Sequence, residues 1–178
     1  MRSICVFCGA SAGHDPAYAA AADALGRELA ARSIELVTGG GRGGLMGVVA
    51  DAALAAGGRV TGIIPRSLEE REAAHRGLTR LHVVETLHER KALMHELSEA
   101  FVVLPGGFGT LDEMFETITW AQLGIHAKPI GLVNVRGYFD DLVAFVDRAT
   151  ANGFVTEANR GLFTVRADAP ALLDALVR

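Results

Sequence analysis

The residues with the clearest chemical content are Pro105, Gly106, Gly107, Phe108, Gly109, Thr110, Leu111, Asp112 and Glu113, which follow one another directly. An apolar stretch before them, Ala100-Phe101-Val102-Val103-Leu104, reads as a buried strand. After them Leu111, Phe115, Ile118 and Leu123 recur at helical spacing, so the glycines fall at a strand-to-helix turn. Glycine lets the main chain approach a ligand closely, and the amides that open a helix favour an anion, most often phosphate. Glu113 projects from the first turn of that helix, where a carboxylate can reach whatever the phosphate anchors. A phosphate anchor with an acid beside it points to chemistry on a phosphorylated small molecule.

Two further turns have a composition suited to phosphate. Cys8-Gly9-Ala10-Ser11-Ala12-Gly13 offers the Ser11 hydroxyl, and the glycine-rich stretch at 38–47 offers Gly40 and Gly41. One such turn is weak evidence, because tight connections need glycine anyway; three on one sheet edge are stronger. The second contains Gly39-x-Gly41-x-x-Gly44, a dinucleotide-type pattern. It follows the second strand rather than the first, and no acidic residue lies about 20 positions beyond it. No glycine-lysine-Ser/Thr sequence occurs either, so nicotinamide and ATP chemistry both lose ground.

Arg90 and Lys91 open the helix that precedes the strand at 100–104 and so approach the same edge. Lys91 and Lys128 are the only lysines, which disfavours pyridoxal phosphate and its Schiff-base lysine. His88 and His95 share a helical face but lack an H-E-x-x-H pattern or a third ligand, and no metal is expected. Glu113, Glu116 and Trp120 form one helical stripe, with Trp120 suited to core or interface.

The positioning elements alternate along the chain. Strands are expected at 3–8, 34–37, 59–64, 81–84, 100–104, 129–134 and 162–165. Helices are expected from Asp15-Pro16 to 32, at 45–56, 87–97, after Pro105, at 138–151 and at the C-terminus. Residues 66–80 read as a mobile loop or short helix. This pattern predicts a single-domain (1–178), Rossmann-like, three-layer αβα fold of the α/β class with a parallel sheet, its ligand beyond the carboxyl ends of the strands.

Composition narrows the partners. The chain has 178 residues, half of them hydrophobic, with a net charge of −4. Disorder and bulk nucleic-acid binding are therefore disfavoured. No apolar run is long enough to span a bilayer, and no secretory signal pattern is present, so a cytoplasmic protein without membrane partners is expected. Cys5 and Cys8 fall on opposite faces of a strand, as buried apolar residues rather than a redox or metal pair.

The segment from Pro105 to Glu113 resembles the P-G-G-x-G-T-x-x-E signature of the LONELY GUY proteins, cytokinin-activating nucleoside 5′-monophosphate phosphoribohydrolases often labelled lysine decarboxylases. Arg90-Lys91 resembles their second motif. The likeness extends through Cys8-Gly9-Ala10-Ser11, Thr38-Gly39-Gly40-Gly41, Gly62-Ile63-Ile64-Pro65 and Thr119-Trp120-Ala121-Gln122-Leu123-Gly124. The resemblance implies hydrolysis of the N-glycosidic bond of a purine nucleotide, AMP or an N6-substituted relative, to free base and ribose 5-phosphate. It implies a catalytic pair at Arg90 and Glu113. Substrate contacts would come from Glu72, Arg90, Lys91, residues 107–113 (Gly107, Phe108, Gly109, Thr110, Leu111, Asp112, Glu113) and Thr119. It also implies a homodimer and no cofactor. This chain has Glu70-Arg71-Glu72 where plant members read P-R-E, which leaves base preference open. A non-catalytic nucleotide or molybdenum-cofactor carrier of the same fold is the alternative, and a carrier has no reason to keep both Arg90 and Glu113.

Overall fold

The computed structural model describes residues 1–69 and 73–176. Its strands are β1 (Ser3–Phe7), β2 (Glu35–Thr38), β3 (Val60–Pro65), β4 (Arg80–Val84), β5 (Ala100–Val103), β6 (Ile130–Val133) and β7 (Phe163–Arg166). They form one parallel sheet in the order β4-β3-β2-β1-β5-β6-β7. The order reverses between β1 and β5. At such a switch point the connections on either side diverge and leave a crevice beyond the strand ends.

The helices are α1 (Pro16–Ala31), α2 (Gly44–Ala55), α3 (Leu87–Glu96), α4 (Phe108–Gln122), α5 (Asp140–Ala151), α6 (Glu157–Arg160) and α7 (Ala169–Leu176). Strand alternation sorts the apolar residues into two layers. Ile4 and Val6 of β1 pack with α1, α2 and α7 on one face, while Cys5 and Phe7 pack with α3, α4 and α5 on the other. The Rossmann-like αβα architecture expected from the alternation is what forms. Asp15 caps α1, its carboxylate accepting from Ala17 N at 2.8 Å, and Pro16 takes the first helical position. α1 and α2 meet at Gly26, where an added Cβ would lie 2.4 Å from the Val49 carbonyl.

Two expectations change. The stretch after β3 begins with a 3-10 turn, Arg66–Leu68. Its described part beyond residue 72 is held down: His75 N donates to Gly40 O at 2.8 Å, and the His75 ring bonds Asp51 at 2.8 Å. Residues 73–79 are thus tied through His75 to the Gly40 turn and to Asp51 of α2. The helix expected from 138 starts at Asp140, because Val135–Gly137 forms a separate turn with Arg136 in the left-handed region (φ 54°). Among the described residues, no helix is long and apolar enough to cross a membrane.

Candidate functional site

The turns that leave β1 and β5 are stitched together at the switch point. Gly9 N donates to Pro105 O at 3.0 Å, and Leu104 N to Phe7 O at 2.9 Å. Both turns line a cavity of about 460 Å³, a size suited to a small ligand. One wall is the start of α4. Gly107 is its N-cap and supplies no side chain, and the helical ladder begins with Leu111 N donating to Gly107 O at 3.1 Å. The amides of Phe108, Gly109 and Thr110 precede that ladder and carry the positive end of the helix. Added Cβ atoms at Gly107 and Gly109 would meet nothing within 4 Å, so these glycines border open space. Gly106 differs: a Cβ there would lie 2.1 Å from Thr110 Oγ1.

Arg90 reaches the cavity from α3 and is only 6% exposed. Its Nε donates to Ile63 O at 3.1 Å and one terminal nitrogen to Gly39 O at 2.8 Å. The guanidinium therefore sits over the carboxyl ends of β3 and β2, oriented by two main-chain acceptors. The space is made by Gly39, whose added Cβ would fall 2.1 Å from the same nitrogen. Glu113 lines the cavity from α4. Burial, and secondarily the Glu113 carboxyl, pushes the Cys8 thiol far above its usual range, so the acid lies close to a low-polarity floor.

Of the residues read from the sequence, the cavity gathers Ser11, Arg90, Gly107, Gly109, Thr110 and Glu113. Gly40 and Gly41 lie outside it. The Gly40 carbonyl accepts from His75 N, and Gly41 N points at the Met46 sulfur at 3.2 Å. Their turn is packing material, and the first amides of α2 follow suit: Leu45 N and Met46 N donate to Gly9 O at 2.9 and 3.3 Å. Lys91 also turns away, its ammonium bridging Asp112 at 3.2 Å and Glu116 at 3.0 Å. Burial works against that charge, yet the bonds to Glu116 and Asp112 outweigh it and hold the pKa above the ordinary lysine value. Leu111 packs into the apolar layer, and Phe108 is 93% exposed. The exposed Thr119 hydroxyl donates to Phe115 O at 2.7 Å. Glu72 lies outside the described residues.

Sequence reasoning missed Tyr138 and Tyr18, which line the cavity and meet edge to face at 5.7 Å. The Tyr138 hydroxyl donates to Gly106 O at 2.6 Å, bracing the turn that opens α4. The available signal was a tyrosine soon after a strand's carboxyl end. Tyr18 had none, because it reads as an ordinary helical residue. Among the described residues no cluster of His, Cys, Asp and Glu could hold a metal ion. His95 is buried against Phe101 and Trp120, and His88 is exposed.

Fold and site define a Rossmann-like α/β protein with an amide-lined cleft at its switch point. A family model described as "Possible lysine decarboxylase" matches residues 46–176. The chain is 53% identical over 176 residues to a rice (Oryza sativa subsp. japonica) protein named probable cytokinin riboside 5′-monophosphate phosphoribohydrolase, covering 99% of this chain and 78% of that one. It is 47% identical over 176 residues to the cytokinin riboside 5′-monophosphate phosphoribohydrolase of Rhodococcoides fascians, covering 98% and 89%. A solved molybdenum cofactor binding protein from Rippkaea orientalis shares the fold, with TM-score 0.74 over 99% of this chain and 98% of that chain, at 20% identity. The chain belongs to the cytokinin riboside 5′-monophosphate phosphoribohydrolase family.

Proposed function

We propose that this chain hydrolyses the N-glycosidic bond of a purine riboside 5′-monophosphate, AMP or an N6-substituted cytokinin nucleotide, to free base and ribose 5-phosphate. The observation that carries the reading is the meeting, in one cavity, of the uncapped start of α4 with the Glu113 carboxyl one turn along. The relatives' names agree with this activity.

The 5′-phosphate is held by the amides of Phe108, Gly109 and Thr110, where the helix dipole favours negative charge. Holding the phosphate places the sugar, so remote binding contributes to rate as well as affinity. Cleavage of the C–N bond builds positive charge on the ribosyl ring. Glu113 faces that charge, stabilises it, and orients or deprotonates the attacking water. Arg90, fixed by Ile63 O and Gly39 O, acts electrostatically; a guanidinium keeps its protons and is a poor general acid. Lys91 acts on the substrate only through the face of α4 that it braces. Decarboxylation through a lysine Schiff base has no support, because neither lysine lines the cavity: Lys91 is ion-paired, and Lys128 donates to His95 O.

The whole chain acts as one domain in this reading, and it pairs as a homodimer through α4 and the turn after it. Support comes from Phe108, Phe115, Leu123 and Ile125, apolar side chains exposed along that helix and the following turn. A reducing, cytoplasmic setting fits the two unpaired cysteines. The deciding experiment incubates the protein with AMP and with isopentenyladenosine monophosphate and separates the products by chromatography. Free base and ribose 5-phosphate are expected; no base released from either nucleotide refutes the reading.

A further inference from the structure

His95 has no part in the mechanism above, yet it ties together the two helices that carry Arg90 and Glu113. It lies near the end of α3, buried, with its ring 4.5 Å from Phe101, 4.4 Å from Trp120 and 5.5 Å from His126. Its Nε2 is 3.0 Å from Thr117 Oγ1 on α4. The Thr117 hydroxyl also bonds the Glu113 carbonyl, at 2.8 Å. Which of the two the oxygen serves as donor follows the His95 tautomer. The result is a hydrogen-bonded relay from the His95 ring through Thr117 Oγ1 to the Glu113 carbonyl.

The surroundings hold this arrangement. His126 donates from Nε2 to the Thr117 carbonyl at 3.1 Å, while its Nδ1 accepts from Lys128 N at 3.1 Å. The Lys128 ammonium donates to the His95 carbonyl. Burial first, then electrostatic repulsion from His126, Lys128 and Lys91, pushes the His95 pKa down to about 4, so the ring is neutral near pH 7. The other end of α3 is anchored separately, by Arg90 on Ile63 O and Gly39 O. α3 is thus fixed to the sheet at Arg90 and to α4 at two points, Lys91 with Asp112 and Glu116, and His95 with Thr117.

We propose that the His95–Thr117 hydrogen bond is a positioning device for the reaction, setting the offset of α3 against α4 and hence the placement of the Arg90 guanidinium relative to the Glu113 carboxyl. This rests on the reading of Arg90 and Glu113 as the reacting pair. Misplacement by about 1 Å can cost as much as 10²-fold in rate. His95 and Thr117 act only through their neighbours.

The test replaces Thr117 with Val, which keeps the shape and loses the hydroxyl, and with Ser, which restores it. With AMP as substrate, Thr117→Val is expected to lower kcat about tenfold with KM within about twofold, and Thr117→Ser to recover most of kcat. His95→Leu should cause a similar loss, and the His95→Leu/Thr117→Val pair no more than either alone, because both break one bond. Wild-type kcat in a folded Thr117→Val protein overturns the proposal, as does a serine variant no better than valine. Should valine prevent folding, His95→Gln carries the test, since its amide can donate to the same oxygen: kcat well above that of His95→Leu supports the relay, and equal kcat overturns it. An inactive Glu113→Gln beside a fully active Thr117→Val sinks the relay alone, whereas a wild-type protein that releases no base sinks both.

Discussion

The turn between β2 and α2 is richer in glycine than the turn between β5 and α4, yet the two do different work. At α2 the first amides are already used, Leu45 and Met46 donating to the Gly9 carbonyl. Gly44 sits in the left-handed region (φ 58°), and its added Cβ would lie 2.3 Å from the Ala10 backbone. That turn is full of protein. At α4 the N-cap offers no side chain, and Gly107 and Gly109 border empty space. The contrast separates two uses of glycine: one lets main chains pack against each other, the other leaves amides for a ligand. Glycine content alone does not distinguish them; the fate of the amides does.

The sharpest way to break this contrast is at the acid beside the open turn. Glu113→Gln is expected to lower kcat on AMP by about 10²-fold or more, with nucleotide binding largely kept, as steady-state kinetics and calorimetric titration would report. A near-normal kcat would remove the chemical role from the α4 side. Next in size, removing the 5′-phosphate should make adenosine at least about tenfold poorer than AMP in kcat/KM, because positioning by the amides is lost; equal rates would contradict phosphate anchoring. At the closed turn, Gly44→Ala should cost about 1–3 kcal/mol or more in urea unfolding, since alanine resists a positive φ and has no room. Gly107→Ala should leave stability nearly unchanged and instead raise KM for nucleotides. If the two alanine variants exchanged these effects, the two turns would have been assigned the wrong way round.

A separate effect concerns pH. The folded His95 has a pKa of about 4 against an ordinary value near 6.5, so the unfolded chain takes up a proton first as pH falls. Stability should therefore be full above about pH 6.5, decline toward pH 4 and level off below it. Melting temperatures followed across that range should fall less steeply in His95→Gln.

The frame was readable from the sequence because its signals are local. Seven apolar runs became seven strands, Asp15-Pro16 marked the start of α1, and the glycine turn after β5 stood where its flanking periodicities put it. The four-residue α6, capped by Thr156, is too short to carry a periodic signal. The cavity lining was legible where backbone chemistry makes it, at Gly107, Gly109, Thr110 and Glu113. It was less legible where long-range partners decide. Lys91 looks like a ligand residue beside Arg90, but neighbouring helix positions diverge by about 100°, so one enters the cleft and the other meets Asp112 and Glu116. Gly40 and Gly41 looked like a cradle until Gly9, Met46 and His75 came up against their turn.

The placement of Cys5 and Cys8 has a practical consequence. One thiol belongs to each apolar layer, and burial pushes both pKa values well up, so neither is a ready thiolate. An intramolecular disulfide would require β1 to leave the centre of the sheet. Alkylating reagents should accordingly leave Cys5 of the native protein unmodified, so labelling at that thiol reports global unfolding, whereas Cys8 lines the cavity and is reached only through it.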